Sequence, residues 1–303
     1  MSAVEISDVT KTFGDVTAVD NLSLTVPEGS VYGFIGPNGS GKSTTMRMIA
    51  NIFYPDSGKI QVFGKTRFGT RSDQIGYLPE ERGVYRKMRV RALLEFYGQL
   101  RGGRNVTAEV NSWLQRLGLA DRADDKMETF SKGMSQKVQF IATVIPEPKL
   151  LILDEPFTGL DPVSADSIRS AVLDMRRRGC TVILSTHDMN VAESLCDSIF
   201  MIFRGQKVLD GSLASIQARY GSDTIRVETE GRVALGELPG IERINDLGQV
   251  QELRMAAGCD PQQVLHALAA RARIVSFSVV KPSLHDIFVR IAGPQQPQET
   301  RVA

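Results

Sequence analysis

The sequence predicts an α/β protein with a parallel, helix-flanked sheet, followed by a small α+β domain. Two apolar runs, LLILDEP at 150–156 and TVILST at 181–186, have the composition of buried strands, and a helical pattern ending near Arg178 separates them. A Gly-rich loop at 36–44 follows another apolar run and opens a helix at about Ser43. Strands that alternate with helices in this way predict a parallel sheet.

The first part of the chain is also predicted to contain further strands and a helical subdomain. Short β-branched and aromatic runs between turn residues predict strands at 4–9, 19–26 and 30–35. Apolar periodicity predicts helices at 89–101, 108–118 and 134–145, the last ended by Pro146. We therefore expect a helical subdomain at about 85–147, within a first domain that spans residues 1–222.

The character of the sequence changes after a helix-like segment at 212–222. The runs TIRVETEG, QELRMAA and ARIVSFSVV predict strands, and a helix is expected near 261–271 between the last two. Residues 223–292 are therefore predicted to form a small α+β accessory domain. The tail at 293–303 is rich in Pro and Gln and has almost no apolar content, which predicts disorder.

Composition and charge are those of an ordinary globular protein and argue against several classes. Of the 303 residues, 42% are hydrophobic and 23% are charged, and 36 Lys and Arg against 35 Asp and Glu leave a net charge of +1. Nothing in this balance favours nucleic acid as a partner. The three cysteines are far apart and form no C-x-x-C pair, which argues against a disulfide framework or a zinc site and favours the reducing cytoplasm.

Neither an export signal nor a membrane span is expected. The N-terminus, MSAVEISDVTKTFG, carries an early acidic residue and lacks the basic start and apolar run of a signal peptide. No window approaches the roughly 20 consecutive apolar residues that a membrane-spanning helix needs. We therefore expect any role at a membrane to come through a partner.

The loop GPNGSGKST matches the phosphate-binding pattern G-x-x-x-x-G-K-[ST] in its proper place, between a strand and a helix. Its glycines let backbone amides turn towards phosphate oxygens, and the helix N-terminus favours an anion. Lys42 is expected to reach the β- and γ-phosphates and Ser43 to bind Mg²⁺. The alternative, a turn that only caps a helix, does not need Lys-Ser at this position. The predicted nucleotide-binding residues here are Gly36, Pro37, Asn38, Gly39, Ser40, Gly41, Lys42, Ser43 and Thr44.

The run LLILDEP ends a predicted buried strand in two acids. Asp154 should lie near the phosphate loop if both strands belong to one parallel sheet, and would then hold Mg²⁺ directly or through water. Glu155 is the candidate for polarising an attacking water, because phosphoryl transfer needs a correctly placed acceptor. The alternative is a pair that only caps a helix after the strand.

Together, and in this order, these motifs resemble the ATP-binding-cassette (ABC) family over about residues 3–220. The resemblance implies a P-loop NTPase fold with a mixed sheet core, an antiparallel β subdomain and a helical subdomain. It also implies ATP and Mg²⁺ as ligands, a dimer of ATP-binding subunits, and a separate transmembrane permease. In that family an aromatic residue near the N-terminus stacks on adenine, and Phe13 in KTFG matches it. The alternative for Phe13 is a core side chain.

The family's signature loop, usually Leu-Ser-Gly-Gly-Gln, corresponds here to FSKGM at 130–134. Ser131 and Gly133 are retained, while Lys132 and Met134 depart from the pattern. In the family this loop faces the γ-phosphate held by the opposite subunit, and its alternative here is an ordinary helix cap. TGLD at 158–161 resembles the family's D-loop, which implies that Asp161 lies at the dimer interface.

Two further positions complete the resemblance. Glu80 in YLPEERG stands where the family usually has Gln and is expected near Mg²⁺ or water, with a solvated acidic turn as the alternative. His187 in STHD ends a predicted strand and matches the family's switch His, which hydrogen-bonds the γ-phosphate. His266 and His285 have no such context and are interpreted as ordinary surface or core residues.

The loop YLPEERG, the SKGM-type signature and the closing segment KPSLHDIFVRIAG resemble ATPase subunits of two-component bacterial exporters of the sodium or drug efflux type. The resemblance implies an ATPase at the inner face of the cell membrane, bound there through its permease. Three alternatives remain: an importer ATPase, a soluble cassette ATPase acting on ribosomes or DNA ends, and a regulatory module that has lost activity. The retained Lys42, Asp154, Glu155 and His187 argue against the last.

Overall fold

The computed structural model describes residues 1–66, 74–80, 83, 85–100, 106–220, 223–230, 238–246, 248, 250–256 and 258–292. The chain divides into two compact units, Met1–Ser212 and Leu213–Ala303. The division precedes the boundary predicted at residue 222, because the helix Leu213–Tyr220 belongs to the second unit. Its Ile216 is fully buried, and Gln217 donates a hydrogen bond of 3.1 Å to the carbonyl of Pro282. The tail at 293–303, predicted to be disordered, lies outside the described residues.

The first unit contains ten strands and six α-helices among its described residues. The strands are β1 Ser2–Phe13, β2 Val16–Pro27, β3 Val31–Ile35, β4 Ser57–Val62, β5 Lys65–Thr66, β6 Ile75–Leu78, β7 Leu150–Leu153, β8 Thr181–Thr186, β9 Ser198–Phe203 and β10 Gln206–Ser212. The helices are α1 Lys42–Ile49, α2 Val90–Leu100, α3 Val106–Arg116, α4 Lys132–Val144, α5 Pro162–Arg177 and α6 Met189–Leu195.

The central sheet has the strand order β10-β9-β3-β8-β7-β6. All neighbours in it are parallel except β10, which pairs antiparallel with β9. Every residue of β3, β7 and β8 is buried, as expected for central strands covered on both faces. Because parallel strands end at the same edge, the residues after β3, β7 and β8 come together there.

Alternate residues of the central strands pack into two different apolar layers. Leu151 and Leu153 contact the layer formed with the helical subdomain, while Leu150 and Ile152 contact the layer formed with β1, β2 and β4. These three strands and β5 make a separate antiparallel sheet in the order β2-β1-β4-β5. Because successive side chains of a strand point to opposite faces, one run of four apolar residues packs into both layers.

The described residues of the second unit form a four-stranded antiparallel sheet with helices. Its elements are α7 Leu213–Tyr220, β11 Thr224–Thr229, β12 Ile241–Asp246, β13 Val250–Met255, α8 Pro261–Ala269, β14 Ile274–Val280 and α9 Leu284–Ala292. The strand order is β12-β13-β11-β14. Val264 and Leu268 of α8 pack with Ile225, Val227 and Leu253 of the sheet to form its core.

These observations confirm the predicted fold class: a mixed central sheet, an antiparallel sheet and a helical subdomain, with a small α+β unit after them. No helix within the described part of the chain is long and apolar enough to cross a membrane.

Truncating the core of the helical subdomain is expected to destabilise the first unit. Phe140 of α4 is fully buried and its ring lies 6.1 Å from that of Trp113. We expect Phe140→Ala to lower the free energy of unfolding by about 3–5 kcal/mol, because it leaves a cavity. Denaturant unfolding measures this, with Val163→Ala at a 74% exposed position as control. A loss no larger than that of the control would contradict the packing described.

Candidate active site

The phosphate loop joins β3 to α1 and requires glycine at two positions. Gly36 and Gly41 have φ angles of 155° and 109°, which other residues rarely adopt. A Cβ atom on Gly36 would lie 2.2 Å from the carbonyl oxygen of Ile202, and one on Gly41 would lie 2.4 Å from that of Ala18. Close approach of the loop to neighbouring backbone therefore excludes any side chain at either position.

The other residues of the predicted loop surround the start of α1. Asn38 and Gly39 are exposed, whereas Ser40 is buried and its hydroxyl makes no hydrogen bond within the described structure. Pro37, Ser43 and Thr44 are partly buried. The loop thus has an open tip above a buried base.

Lys42 begins α1 and is only 5% exposed. Its ammonium donates hydrogen bonds to the carbonyls of Gly36 at 2.7 Å and Pro37 at 3.1 Å. Burial lowers the pKa of Lys42, and the nearby carboxylates of Glu155 and Asp154 oppose that shift. A cation held inside the loop by carbonyls is suited to exchange these contacts for the oxygens of a phosphate.

Asp154 follows β7 and is fully buried. Its Oδ1 accepts hydrogen bonds from the hydroxyls of Ser43 at 3.1 Å and Ser185 at 2.7 Å. Its Oδ2 is also buried and has no hydrogen-bond partner within the described residues. The predicted approach of Asp154 to the phosphate loop is thus present in the structure, with one carboxylate oxygen left for another ligand.

Glu155 is 7% exposed and has a φ angle of 49°, an uncommon conformation for a non-glycine residue. Both of its carboxylate oxygens lie 3.0 Å from Nδ1 of His187, and the Thr158 hydroxyl donates to Oε2 at 3.0 Å. His187 follows β8, and its side chain is 55% exposed. The carboxylate is therefore held in place while the imidazole extends to the surface. Uncommon backbone angles of this kind cluster at functional sites.

Sequence reasoning missed Ser185, the fully buried residue that connects the two acids. Its hydroxyl donates to Asp154 Oδ1 and accepts from the backbone N–H of Glu155 at 2.9 Å. The parallel pairing of Leu153 with Leu184 places it there. A polar residue inside the otherwise apolar run TVILST, two positions before His187, was the available signal.

The signature residues lie at the N-terminus of α4. Ser131 is the N-cap and accepts a hydrogen bond of 3.2 Å from the backbone N–H of Met134. Lys132 is exposed, with its amino group beside Gly159, and Met134 packs against the helical core. A Cβ added at Gly133 would meet the Asp161 carboxylate at 3.4 Å.

Asp161 caps the neighbouring helix α5 by accepting a hydrogen bond of 2.9 Å from the Ser164 N–H. Hydrogen bonds from Ser164 hold the pKa of the Asp161 carboxyl below its usual value. The starts of α4 and α5 therefore lie side by side, with Ser131 and Asp161 exposed. No hydrogen bond within the described residues joins this pair of helix ends to the phosphate loop.

A second residue that sequence reasoning missed connects α4 to the acid pair. Gln136, only 3% exposed, donates a hydrogen bond to the carbonyl of Pro156. Pro156 directly follows Glu155, so the signature helix is attached to the segment that carries the buried carboxylate.

Glu80 and Phe13 lie at the periphery of the site. Glu80 is exposed beyond the end of β6. Its negative charge raises the pKa of Lys42, but burial lowers that pKa by more. The remainder of its predicted loop at 81–82 lies outside the described residues. Phe13 ends β1 with 45% exposure, and its ring meets that of Phe53 edge-on at 5.4 Å. The Lys11 ammonium also lies over this ring, 5.4 Å from its centroid, so only the exposed part of the ring is available for stacking.

Comparisons with known proteins agree with this geometry. Residues 19–158 match the family described as ABC transporter, and residues 211–292 match the C-terminal domain of proteins described as DrrA1-3-like ATP-binding proteins. The ABC transporter ATP-binding protein YhaQ of Bacillus subtilis is 38% identical over 95% of this chain and 98% of its own. The Nod factor export ATP-binding protein I of a Rhizobium species is 35% identical over 96% of this chain and 97% of its own. A solved ATP-binding subunit of an ABC transporter aligns with a TM-score of 0.68 and 29% identity over 73% of this chain and 94% of that one.

Removing the Ser185 hydroxyl is expected to slow ATP hydrolysis without abolishing ATP binding. Ser185→Ala leaves Asp154 Oδ1 and the Glu155 N–H without their shared partner, and losing buried hydrogen bonds of this kind corresponds to roughly a tenfold lower kcat. Steady-state hydrolysis and nucleotide titration measure the two effects. Ser194→Ala, which removes an exposed hydroxyl bonded to the Val191 carbonyl, is the matched control. Equal rates for the two variants would exclude this role for Ser185.

Proposed function

This chain belongs to the ABC transporter family as an ATP-binding and ATP-hydrolysing subunit, and from that premise we propose that two subunits close around ATP to power export through a separate membrane-embedded permease. The observation that carries the proposal is the cluster of Lys42, Asp154, Glu155 and His187 at one edge of the central sheet. Its residues are those needed to hold a triphosphate and to orient water towards it.

ATP would bind with its phosphates in the loop between β3 and α1. The N-terminal end of α1 and the loop amides favour an anion there, and the Lys42 ammonium would neutralise the β- and γ-phosphates. Phe13 is the partly exposed aromatic side chain on which adenine would stack. The loop residues that we assign to nucleotide binding are Gly36, Pro37, Asn38, Gly39, Ser40, Gly41, Lys42, Ser43 and Thr44.

The residues at the end of β7 fit a magnesium ion. The buried Asp154 Oδ2 lacks a hydrogen-bond partner within the described residues, and oxygen ligands are those that Mg²⁺ prefers. We assign the ion to the Ser43 hydroxyl and Asp154, with Glu80 as a further carboxylate nearby. When bound, Mg²⁺ would neutralise charge on the phosphates.

Glu155 is assigned to the attacking water. Its carboxylate is a hydrogen-bond acceptor fixed by His187 and Thr158, so it would accept a hydrogen bond from water and orient it towards the γ-phosphate. His187, with its ring half exposed, would contact the γ-phosphate while its Nδ1 atom remains beside the Glu155 carboxylate.

The dimer is proposed because Ser131 and Lys132 are exposed at the start of α4, and the start of this helix makes no hydrogen bond to the phosphate loop of the same chain, as far as the described residues extend. A second subunit would place Ser131, Lys132, Gly133 and Met134 against the γ-phosphate held by the first. Asp161, beside them, would lie in the same interface. Loss of the γ-phosphate would then let the subunits separate.

We assign the chain to the cytoplasmic face of the membrane, bound there through its permease. Export is favoured over import because one relative is named as an export protein and aligns over nearly its whole length. A purely regulatory role is disfavoured because Lys42, Asp154, Glu155 and His187 are all present at one edge of the central sheet.

Glu155→Gln is expected to bind ATP but hydrolyse it about a hundredfold more slowly or worse, and to accumulate as a dimer. The amide keeps the size of the side chain but no longer accepts a proton or orients water as a carboxylate does. Hydrolysis assays and sedimentation with and without ATP measure both results. Glu28→Gln, an exposed position in the turn between β2 and β3, is the control.

Two results would contradict the proposal. Wild-type rates in Glu155→Gln would remove Glu155 from the reaction. ATP binding by the wild-type chain without hydrolysis, even beside its permease, would favour the regulatory role instead.

A further inference from the structure

The strand β14 is an edge strand of the sheet in the second unit. It pairs with β11 on one side, and no strand among the described residues pairs with its other side. Val275 and Val279 on this strand are 60% and 44% exposed. An apolar edge of this kind offers unpaired backbone donors and acceptors to another strand.

The two edges of this sheet differ in how well they are protected. The opposite edge, β12, carries Glu242, Arg243 and Asp246, and Glu242 forms an ion pair of 3.6 Å with Arg254. By contrast, β14 reads IVSFSVV, with neither a charge nor a proline. Natural sheets use charges and prolines to prevent edge pairing. Because β12 carries charges and β14 carries neither charges nor prolines, β14 is the edge of this sheet that is open to a partner.

The sequence of β14 is self-complementary about its central residue. The run Val-Ser-Phe-Ser-Val at 275–279 reads the same in both directions, and β-branched residues flank it at Ile274 and Val280. An antiparallel pair of identical strands reverses one copy against the other, so only such a palindrome places like residues opposite like. Valine would face valine, serine would face serine, and Phe277 would face itself.

We propose that β14 pairs antiparallel with β14 of a second copy of this chain, across a two-fold axis at Phe277. The pair joins two four-stranded sheets into one of eight strands. Facing aromatic and β-branched side chains stabilise such a pair, and the serines are available to hydrogen-bond each other. This interface is separate from the closure around ATP and needs no nucleotide.

Charge limits the length and strength of the pairing. Just outside the palindrome, Arg273 of one copy would face Lys281 of the other, and like charges directly opposite are unfavourable. Glu230, 3.2 Å from Arg273, offsets part of this repulsion. Seven paired residues also bury far less than the roughly 1,200 Å² typical of a stable interface. The contact is therefore weak by itself.

Disulfide formation between single-cysteine variants tests both the pairing and its register. In the proposed pair, Val275 of one copy faces Val279 of the other with their Cα atoms about 4.5–5.5 Å apart, within disulfide range. The distance from Val275 to Val275 of the other copy is about 13 Å, which is too long. A nucleotide-free mixture of Val275→Cys and Val279→Cys chains, mildly oxidised, should give roughly tenfold more cross-linked dimer than either variant alone.

Wild type, with its native Cys180, Cys196 and Cys259, sets the background, and mass spectrometry identifies the linked peptides. Equal yields from the mixture and from each variant alone, or none above background, would overturn the proposal. Because nucleotide is omitted, failure of ATP-driven closure would leave this result unchanged.

A charge on the edge gives an independent test. Wild type is expected to self-associate in sedimentation at high protein concentration; Val279→Lys should abolish this association, while Ile244→Lys on the protected edge β12 should not. Added salt should strengthen the wild-type association, because it screens Arg273 from Lys281. Thermal melts establish that both variants are folded. Equal self-association of the two lysine variants, or weakening by salt, would overturn the proposed pairing.

Discussion

The candidate active site depends on the burial of three ionisable side chains at one edge of the central sheet, one at the start of α1 and two directly after β7. Lys42, Asp154 and Glu155 are 5%, 0% and 7% exposed. Charges are this deeply buried only where partners compensate for lost hydration. Loop carbonyls hold the ammonium, two hydroxyls hold Asp154, and His187 with Thr158 holds Glu155. These partners follow or end β3, β7 and β8, so the cluster requires these three strands to lie side by side.

Strand register is the means by which the sheet meets this requirement. Leu153 of β7 pairs with Leu184 of β8, which places Asp154 beside Ser185. A slip of one residue would turn every side chain of β7 to the opposite face. The same slip would exchange the two apolar layers that Leu150 and Leu151 occupy. Core packing and site geometry therefore specify the same register, and the apolar run before the acids is as necessary to the site as the acids are.

This dependence explains what could be predicted from sequence and what could not. The phosphate loop and the acid pair were predictable because each lies within one short segment whose spacing carries the chemistry. Ser185 and Gln136 were not, since their roles arise from hydrogen bonds to residues 31 and 20 positions away in the sequence. The structural division after residue 212 precedes the boundary predicted at residue 222 for the same reason: the helix pattern of α7 is visible in the sequence, but its hydrogen bond to Pro282 is not.

The departures in the signature segment have structural explanations of their own. Met134 packs against the helical core, and Lys132 lies across Gly159, where a Cβ would be 2.4 Å from its Nζ atom. Neither side chain disturbs the Ser131 cap of α4. The same helix carries Gln136, whose hydrogen bond to Pro156 attaches it to the residue after Glu155. A displacement of the first turns of α4 must therefore break a buried hydrogen bond or move the backbone next to Glu155. Within one chain, the exposed start of α4 and the buried Glu155 carboxylate are thus mechanically connected, so a movement of one is transmitted to the other through Gln136 and Pro156.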